Sequence, residues 1–402
     1  QRWVLPQLNL QLGDNRIQGR GLLNSELAAE LELALPRLEQ LWPDLQGAVQ
    51  GRVDLSGTPE QPRGVLDLAG RRLAYGDSRI ATLNIQGNLV EQNQARLALV
   101  AEGLQTGDSD WGRLTLTGHG DLETQAVALQ LSGDLLEAEL GLAGRLEQSD
   151  AGWHWQGRIE EARLAAEVQR WQLQAPAALE RFADGRLVLG PQCWRSGSAS
   201  LCGEGEQRLL PDPSLRYRLR NFDLASLARW LPEDFQWQGE LNGDLELDLP
   251  EGGPQGRVRL DAGRGTLRVR EGGEWVDFPY QALQLDSQLR PEQVDVQARF
   301  DGGELGELRL EARIDPRGEE KPLAGTFALR GLNLAVARPF VPQVGQLEGQ
   351  INGNGQLAGT LQAPQVNGQL RLSEGRVAGG ELPTPLENLR SSVPSAASAW
   401  IW

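Results

Sequence analysis

The chain has 402 residues, of which 49 are Gly and 22 Pro, with 40% apolar residues and a formal charge of −16. That charge argues against nucleic acid, which needs a basic footprint, and against docking on anionic headgroups by charge alone. No stretch reaches the roughly 20 apolar residues of a membrane helix. No signal peptide opens the chain, and the lack of any Met leads us to expect an internal segment of something larger.

Short strands are predicted from Leu5 to Leu35, where Leu27, Ala29, Leu31, Leu33 and Leu35 share one parity. Pro36 then opens a brief helical turn with Leu38, Leu41 and Trp42 on one side, closed by Pro43. A phrase follows in which Gly47, Gly51, Gly57, Thr58 and Pro62 mark an alternating run from Leu45. The same spacing returns at Gly349, Gly353, Gly359, Thr360 and Pro364. A weaker copy runs from Gln238 through Gly239, Leu241, Gly243, Leu245, Leu247 and Leu249. Each copy follows a Pro-broken or helical segment. In the weaker copy this is Asp223 to Leu231, with Leu224, Leu227, Ala228 and Leu231 at helical spacing and Asp223 placed as an N-cap. In the last copy it is Leu334 to Pro342. The copies are unevenly spaced, so this is a divergent array and not a strict solenoid.

Between Gln346 and Leu361 one parity is Leu, Ile or Gly and the other is almost wholly polar. Strands put successive side chains on opposite faces, so the pattern predicts a sheet with one oily and one wet side; a helix would repeat every three to four residues. Alternation recurs between the copies, with Gly-containing turns such as Asp301-Gly302-Gly303 and Glu251-Gly252-Gly253-Pro254 between runs. On the order of 25 strands are predicted at ordinary strand lengths. No composition break divides them; blocks of residues 1–45, 46–145, 146–237, 238–345 and 346–390 are expected within one array. Residues 391–402, small and polar with Trp400 and Trp402 at the end, are expected to be non-native or disordered.

The oily face has no long amphipathic helix to cover it. It could split into sandwiches, wind into a dry β-helix, or curl into a trough. Sandwiches predict compact blocks of about 100 residues with aromatic-rich cores, yet there are only 7 Phe and 3 Tyr. Gly recurs on the inward parity, where Gly beside Leu is expected to leave space that a dry core would penalise. The fold class expected is therefore all-β: an elongated, curled sheet with an apolar interior and a few short helical turns. The expected lining comprises Leu114, Leu116, Val127, Leu129, Leu131, Leu245, Leu247, Val258, Leu260, Leu283, Leu285, Val294, Val296, Leu308 and Leu310. It continues with Leu347, Ile351, Leu357, Leu361, Leu370 and Leu372.

Catalytic chemistry finds no foothold. Acids are plentiful, but Asp244, Glu246 and Asp248 sit on the wet parity. Gly197-Ser198-Ala199-Ser200 lacks the spacing of a nucleophile elbow, and Gly353-Asn354-Gly355 lies inside a strand repeat. His154 between Trp153 and Trp155 is expected in a packed turn. No enzyme activity, cofactor or metal is expected. Cys193 and Cys202 admit two readings, a buried free pair or a disulfide closing a short loop. The disulfide is preferred, would contribute about 2–3 kcal/mol, and points to an oxidising compartment.

The phrase from Leu347 to Thr360, with Pro364, Leu370, Leu372 and Gly375 after it and a Pro-containing turn before it, resembles the TamB family within the AsmA-like group. Trp171 to Pro176, followed by Cys193-Trp194 and Leu201-Cys202, carries the resemblance further. It extends over nearly the whole chain up to about Arg390. The resemblance implies a taco-shaped sheet with a hydrophobic interior, placed in the periplasm of a Gram-negative envelope. It also implies an outer-membrane partner, TamA, and roles in phospholipid transport and outer-membrane protein assembly. The family's N-terminal membrane anchor is not in this sequence. Phospholipid acyl chains are then the guests expected on the oily face, where Leu, Val and Ala offer no specific anchor. A scaffold that takes client proteins by strand addition is the alternative.

Overall fold

A computed structural model describes residues 3–59, 61–90, 94–150, 152–166, 168–271, 273–341 and 346–378, together with the backbone of Leu386–Ser398. Pro342, Trp400 and Trp402, singled out above, lie outside the described residues. Among the described residues are 29 strands and four short 3₁₀ turns, Leu38–Gln40, Leu224–Trp230, Gly303–Leu305 and Leu334–Phe340. The class is the one the alternation predicts: all-β, built as curled antiparallel sheet. The chain divides into two compact units, Gln1–Ser196 and Gly197–Trp402.

In the first unit, eleven strands from Trp3–Leu12 to Gly152–Ala166 pair each with the next as an antiparallel meander. The last of them then forks. Its residues Trp155 to Ile159 pair with Ala177–Arg181, and Arg163 to Ala166 pair with Gln169–Leu173.

The second unit repeats the device. Strands Ser214–Asp223, Phe235–Asp248, Gln255–Asp261, Ala282–Arg290, Gln293–Asp301, Glu307–Ile314, Leu323–Asn333, Gln346–Gly359 and Pro364–Ala378 form its main ladder. The backbone of Leu386–Ser398 pairs beyond it. Strand Phe235–Asp248 forks: Phe235 to Gly239 leave the ladder to pair with the hairpin Gly265–Glu271 and Glu274–Tyr280. Phe235, Val269 and Tyr280 are buried there, as are Leu224 and Leu305 in two of the 3₁₀ turns. The Trp237 indole N–H donates to the Tyr280 hydroxyl at 3.0 Å, and Phe340 meets Phe235 edge-on at 5.0 Å. The Arg338 guanidinium donates to the Asp234 carboxylate and to the Arg270 carbonyl, each at 2.9 Å. These bonds fasten the turn Leu334–Phe340 to the forked hairpin.

The turn before each copy of the repeat forms as its sequence predicts. Asp223 caps Leu224–Trp230 by accepting the Ala225 N–H at 2.9 Å, and Asn333 caps Leu334–Phe340 through Ala335 at 3.0 Å. The repeated phrase also acquires a physical reading, because its glycines do three jobs. Gly47 and Gly349 have φ of 112° and 122° and sit where the register with the next strand shifts. A side chain there would meet backbone at 2.5 Å and 2.9 Å, so only Gly fits the bulge. Gly57 and Gly359, at φ 102° and 84°, begin the turn to the next strand. Thr58 and Thr360 then accept the N–H groups of Gln61 and Ala363, both at 3.1 Å, and Pro62 and Pro364 start the return strands. Gly51 and Gly353 lie mid-strand, and their role concerns the oily face.

Candidate functional site

Directly opposed residues of an antiparallel pair share a face, so the register shows which apolar side chains stand side by side. In the first unit one row runs Leu10, Ile17, Leu33, Gly51, Leu68, Ile85, Leu99, Leu116, Leu129 and Leu140. The next row runs Leu8, Gly19, Leu31, Val53, Leu66, Gly87, Leu97, Gly118, Val127 and Leu142 over the same strands. In the second unit the rows are as continuous. One is Leu219, Gly243, Leu260, Leu285, Ala298, Leu310, Phe327 and Gly355. Another is Tyr217, Leu245, Val258, Ser287, Val296, Ala312, Gly325, Leu357 and Val366. Ser287 is the single hydroxymethyl side chain in that row, and it is buried.

The positions expected to line a trough fall into these rows or their neighbours. Leu114 and Leu131 face each other beside Leu116 and Leu129. Leu247 neighbours Leu245, Leu283 faces Phe300, Val294 faces Ile314, and Leu308 faces Leu329. Leu347 faces Val377, Ile351 faces Leu372, and Gly353 faces Leu370. Leu361 stands apart: it lies in the turn before Pro364 and is 50% exposed. All the others are half-buried and none is buried. A sandwich or dry β-helix would instead bury central inward positions almost fully.

The inward glycines correct one expectation, that Gly beside Leu leaves space. An added Cβ at Gly51 would lie 2.4 Å from the Leu68 Cδ2, and at Gly353 2.6 Å from the Leu370 Cδ2. At Gly243 it would lie 2.9 Å from the Leu260 Cδ2. The opposed leucine folds across the glycine, so two positions share one side chain's volume. Gly118 differs. Its missing Cβ would stand in ordinary contact with the Val127 Cγ2 at 3.7 Å, and a depression of 540 Å³ beside it is lined by Leu89, Leu97, Leu122 and Val127 together with His119, Asp121 and Gln125.

The opposite face is ionic. Arg216 bonds Asp248 and Arg220 bonds Asp244, each at 2.8 Å, and Arg257 forks onto Asp286. These guanidinium hydrogen bonds hold all three carboxyls below the usual aspartate range. Two of the three acids named on the wet parity, Asp244 and Asp248, are thus partnered by arginines. His154 lies in a strand and not in a turn, stacked 4.7 Å from the Phe182 ring with its Nε2 3.4 Å from the Glu180 carboxylate. Among the described residues no cluster of three or more His, Cys, Asp or Glu could hold a metal. Cys193 and Cys202 are disulfide-bonded, as preferred above.

Sequence reasoning left out much of the face. Ile17, Leu31, Leu33, Leu66, Leu68, Ile85, Leu97 and Leu99 alternate as clearly as the positions chosen, and register sets them in the same rows. The same parity rule, applied to every run, would have found them. The buried aromatic group around Tyr280 carried no periodic signal.

Comparison with known proteins follows this geometry. The family model described as the N-terminal domain of TamB matches residues 1–372. One relative is the translocation and assembly module subunit TamB of Haemophilus influenzae, 22% identical over 388 residues. The match takes in 92% of this chain, which spans 29% of that protein's length. No solved structure is matched.

Proposed function

The chain belongs to the TamB N-terminal domain family, and from that premise we propose that its apolar face carries phospholipid acyl chains across the periplasm. The observation that supports this reading is that predominantly apolar rows run across the strands of each unit with most of their large side chains only partly buried. Each buried CH₂ is worth about 0.8 kcal/mol, so moving two acyl chains through water costs on the order of 20 kcal/mol. A face of Leu, Val and Ile removes most of that cost without binding headgroups. The relative's name makes it a subunit of a translocation and assembly module; we infer that this chain serves in the same module, alongside TamA. The disulfide supports an oxidising compartment. No described helix is long and apolar enough to cross a membrane.

Strand addition to a client protein is less well supported. From Asn15–Leu23 to Glu137–Ser149 each strand is already paired on both edges. Among the strands paired on a single edge, Glu274–Tyr280 carries Pro279 and the acids Glu274 and Asp277, which blunt it for pairing, and Trp3–Leu12 carries Pro6. Site-specific photocrosslinking tests the lipid reading. A crosslinker at Ile351 is expected to capture phospholipid and one at Asn352, on the wet face, is not. Equal capture at both positions would count against it.

A further inference from the structure

At the fork of the first unit an imidazole and a carboxylate stand close without a sound bond between them. His154 lies on strand Gly152–Ala166, beside the residues that pair with Ala177–Arg181. Its Nε2 is buried and has no hydrogen-bond partner among the described residues, and the Glu180 carboxylate stands 3.4 Å away. That is longer than a good N–H···O bond. The ring itself is held in place. It stacks on Phe182 at 4.7 Å, and the Arg186 guanidinium lies over the same Phe182 ring at 4.5 Å. A buried polar atom left without a partner calls for an explanation, and the sheet ladder does not supply one.

We propose that His154 and Glu180 form a proton-operated clasp on the branch of this fork, whatever the oily face carries. A neutral imidazole either points an Nε2 lone pair at the carboxylate or donates a long, uncharged bond to it. A second proton makes Nε2 a charged donor, and N⁺–H···O⁻ bonds are both shorter and stronger. Histidine ordinarily takes up that proton between roughly pH 8 and pH 5, where carboxylates keep their charge. The chain holds two His, and both of its Cys are in the disulfide, so few side chains respond in that range. The other charges around the ring are already engaged. Glu147, opposite His154 on the preceding strand, is bridged by Arg145 at 2.9 Å, and Asp184 is bridged by Arg186 at 2.7 Å. Arg181 stands opposite Trp155, on the other face, and donates to the Phe182 carbonyl. Among the described residues Glu180 has no arginine partner, which leaves its charge to the imidazole. Closing the pair fastens Ala177–Arg181 to Gly152–Ala166. The added stability is present with the imidazolium and is lost as the proton leaves at higher pH.

Hydrogen exchange of the whole chain tests the clasp, read in peptides covering residues 177–189 and corrected for the intrinsic pH dependence of exchange. From about pH 7.5 to about pH 5.5, protection of the branch is expected to rise about threefold, the scale of a partly exposed ion pair. Glu180→Gln is nearly isosteric at a half-buried site and leaves the His154–Phe182 stack in place. It is expected to abolish the rise, as is His154→Gln, whereas His119→Gln, at the other histidine, is expected to keep it. Flat or falling protection in the parent overturns the clasp. A rise that survives Glu180→Gln but not His154→Gln also overturns it and moves the acceptor to Glu147. A rise that persists in His154→Gln assigns the response to another group and overturns it as well.

Discussion

Glycine on the oily parity has two meanings that the local sequence does not separate. Gly51, Gly243 and Gly353 are each crowded by a leucine of the next strand, whereas the atom nearest the missing Gly118 Cβ, the Val127 Cγ2, keeps an ordinary contact distance of 3.7 Å. The difference lies in which residue register brings opposite, and register depends on bulges and turns many residues away. Substitution distinguishes the cases. Gly353→Ala forces the Leu370 side chain off its seat and presses on the Gln369 carbonyl 2.5 Å away. It is expected to cost about 1–3 kcal/mol, read as a lower urea midpoint at unchanged slope. Gly118→Ala is expected to change the midpoint by no more than about 0.5 kcal/mol; an equal loss in both variants would refute the packing account. The cysteines were legible to a similar depth, as a preferred pair among two readings. Replacing both with Ser is expected to cost about 2–3 kcal/mol, and a null result in oxidised protein would show the link to be thermodynamically silent.

Single strands were the most legible level, because a period of two is written directly into runs such as Leu347 to Gly359. The forks were not. Phe235–Asp248 reads as one continuous strand, yet its two halves pair with different partners, and nothing in a strand's own sequence declares a change of partner midway. The charged face of the second unit yields a prediction at this level. Asp244, Asp248 and Asp286 have carboxyls held below their unfolded value by Arg220, Arg216 and Arg257. A lowered folded pKa gives stability that is present above the unfolded value, about 3.9, and lost as pH falls through the folded one. Urea midpoints are therefore expected to hold from pH 6 to about pH 4 and to drop below it. In Arg216→Ala, Arg220→Ala and Arg257→Ala combined, that drop should shrink. At neutral pH each pair contributes only about 0–1 kcal/mol, being largely solvent-exposed. An undiminished acid drop in the triple variant would place its origin elsewhere.

Across the whole chain, the conduit reading makes a demand that stability alone does not. A fold needs its rows apolar only on average, but a guest moving along them meets every position in turn. Leu285 tests this, since it stands between Leu260 and Ala298 in an unbroken row and is half-buried. An aspartate there stays wet enough for the sheet to fold, at a cost of about 1–3 kcal/mol. To an acyl chain it is a carboxylate in the path, and stripping its water costs several kcal/mol. Asn354→Asp adds the same charge on the wet face, opposite Ala328 and Gln369. Phospholipid recovered with gently extracted Leu285→Asp protein, counted per chain by mass spectrometry, is expected to fall several-fold. The Asn354→Asp protein should match the parent. If both folded variants carry the parent's lipid, guests do not cross that row, and the apolar face must be assigned to holding the sheet in shape.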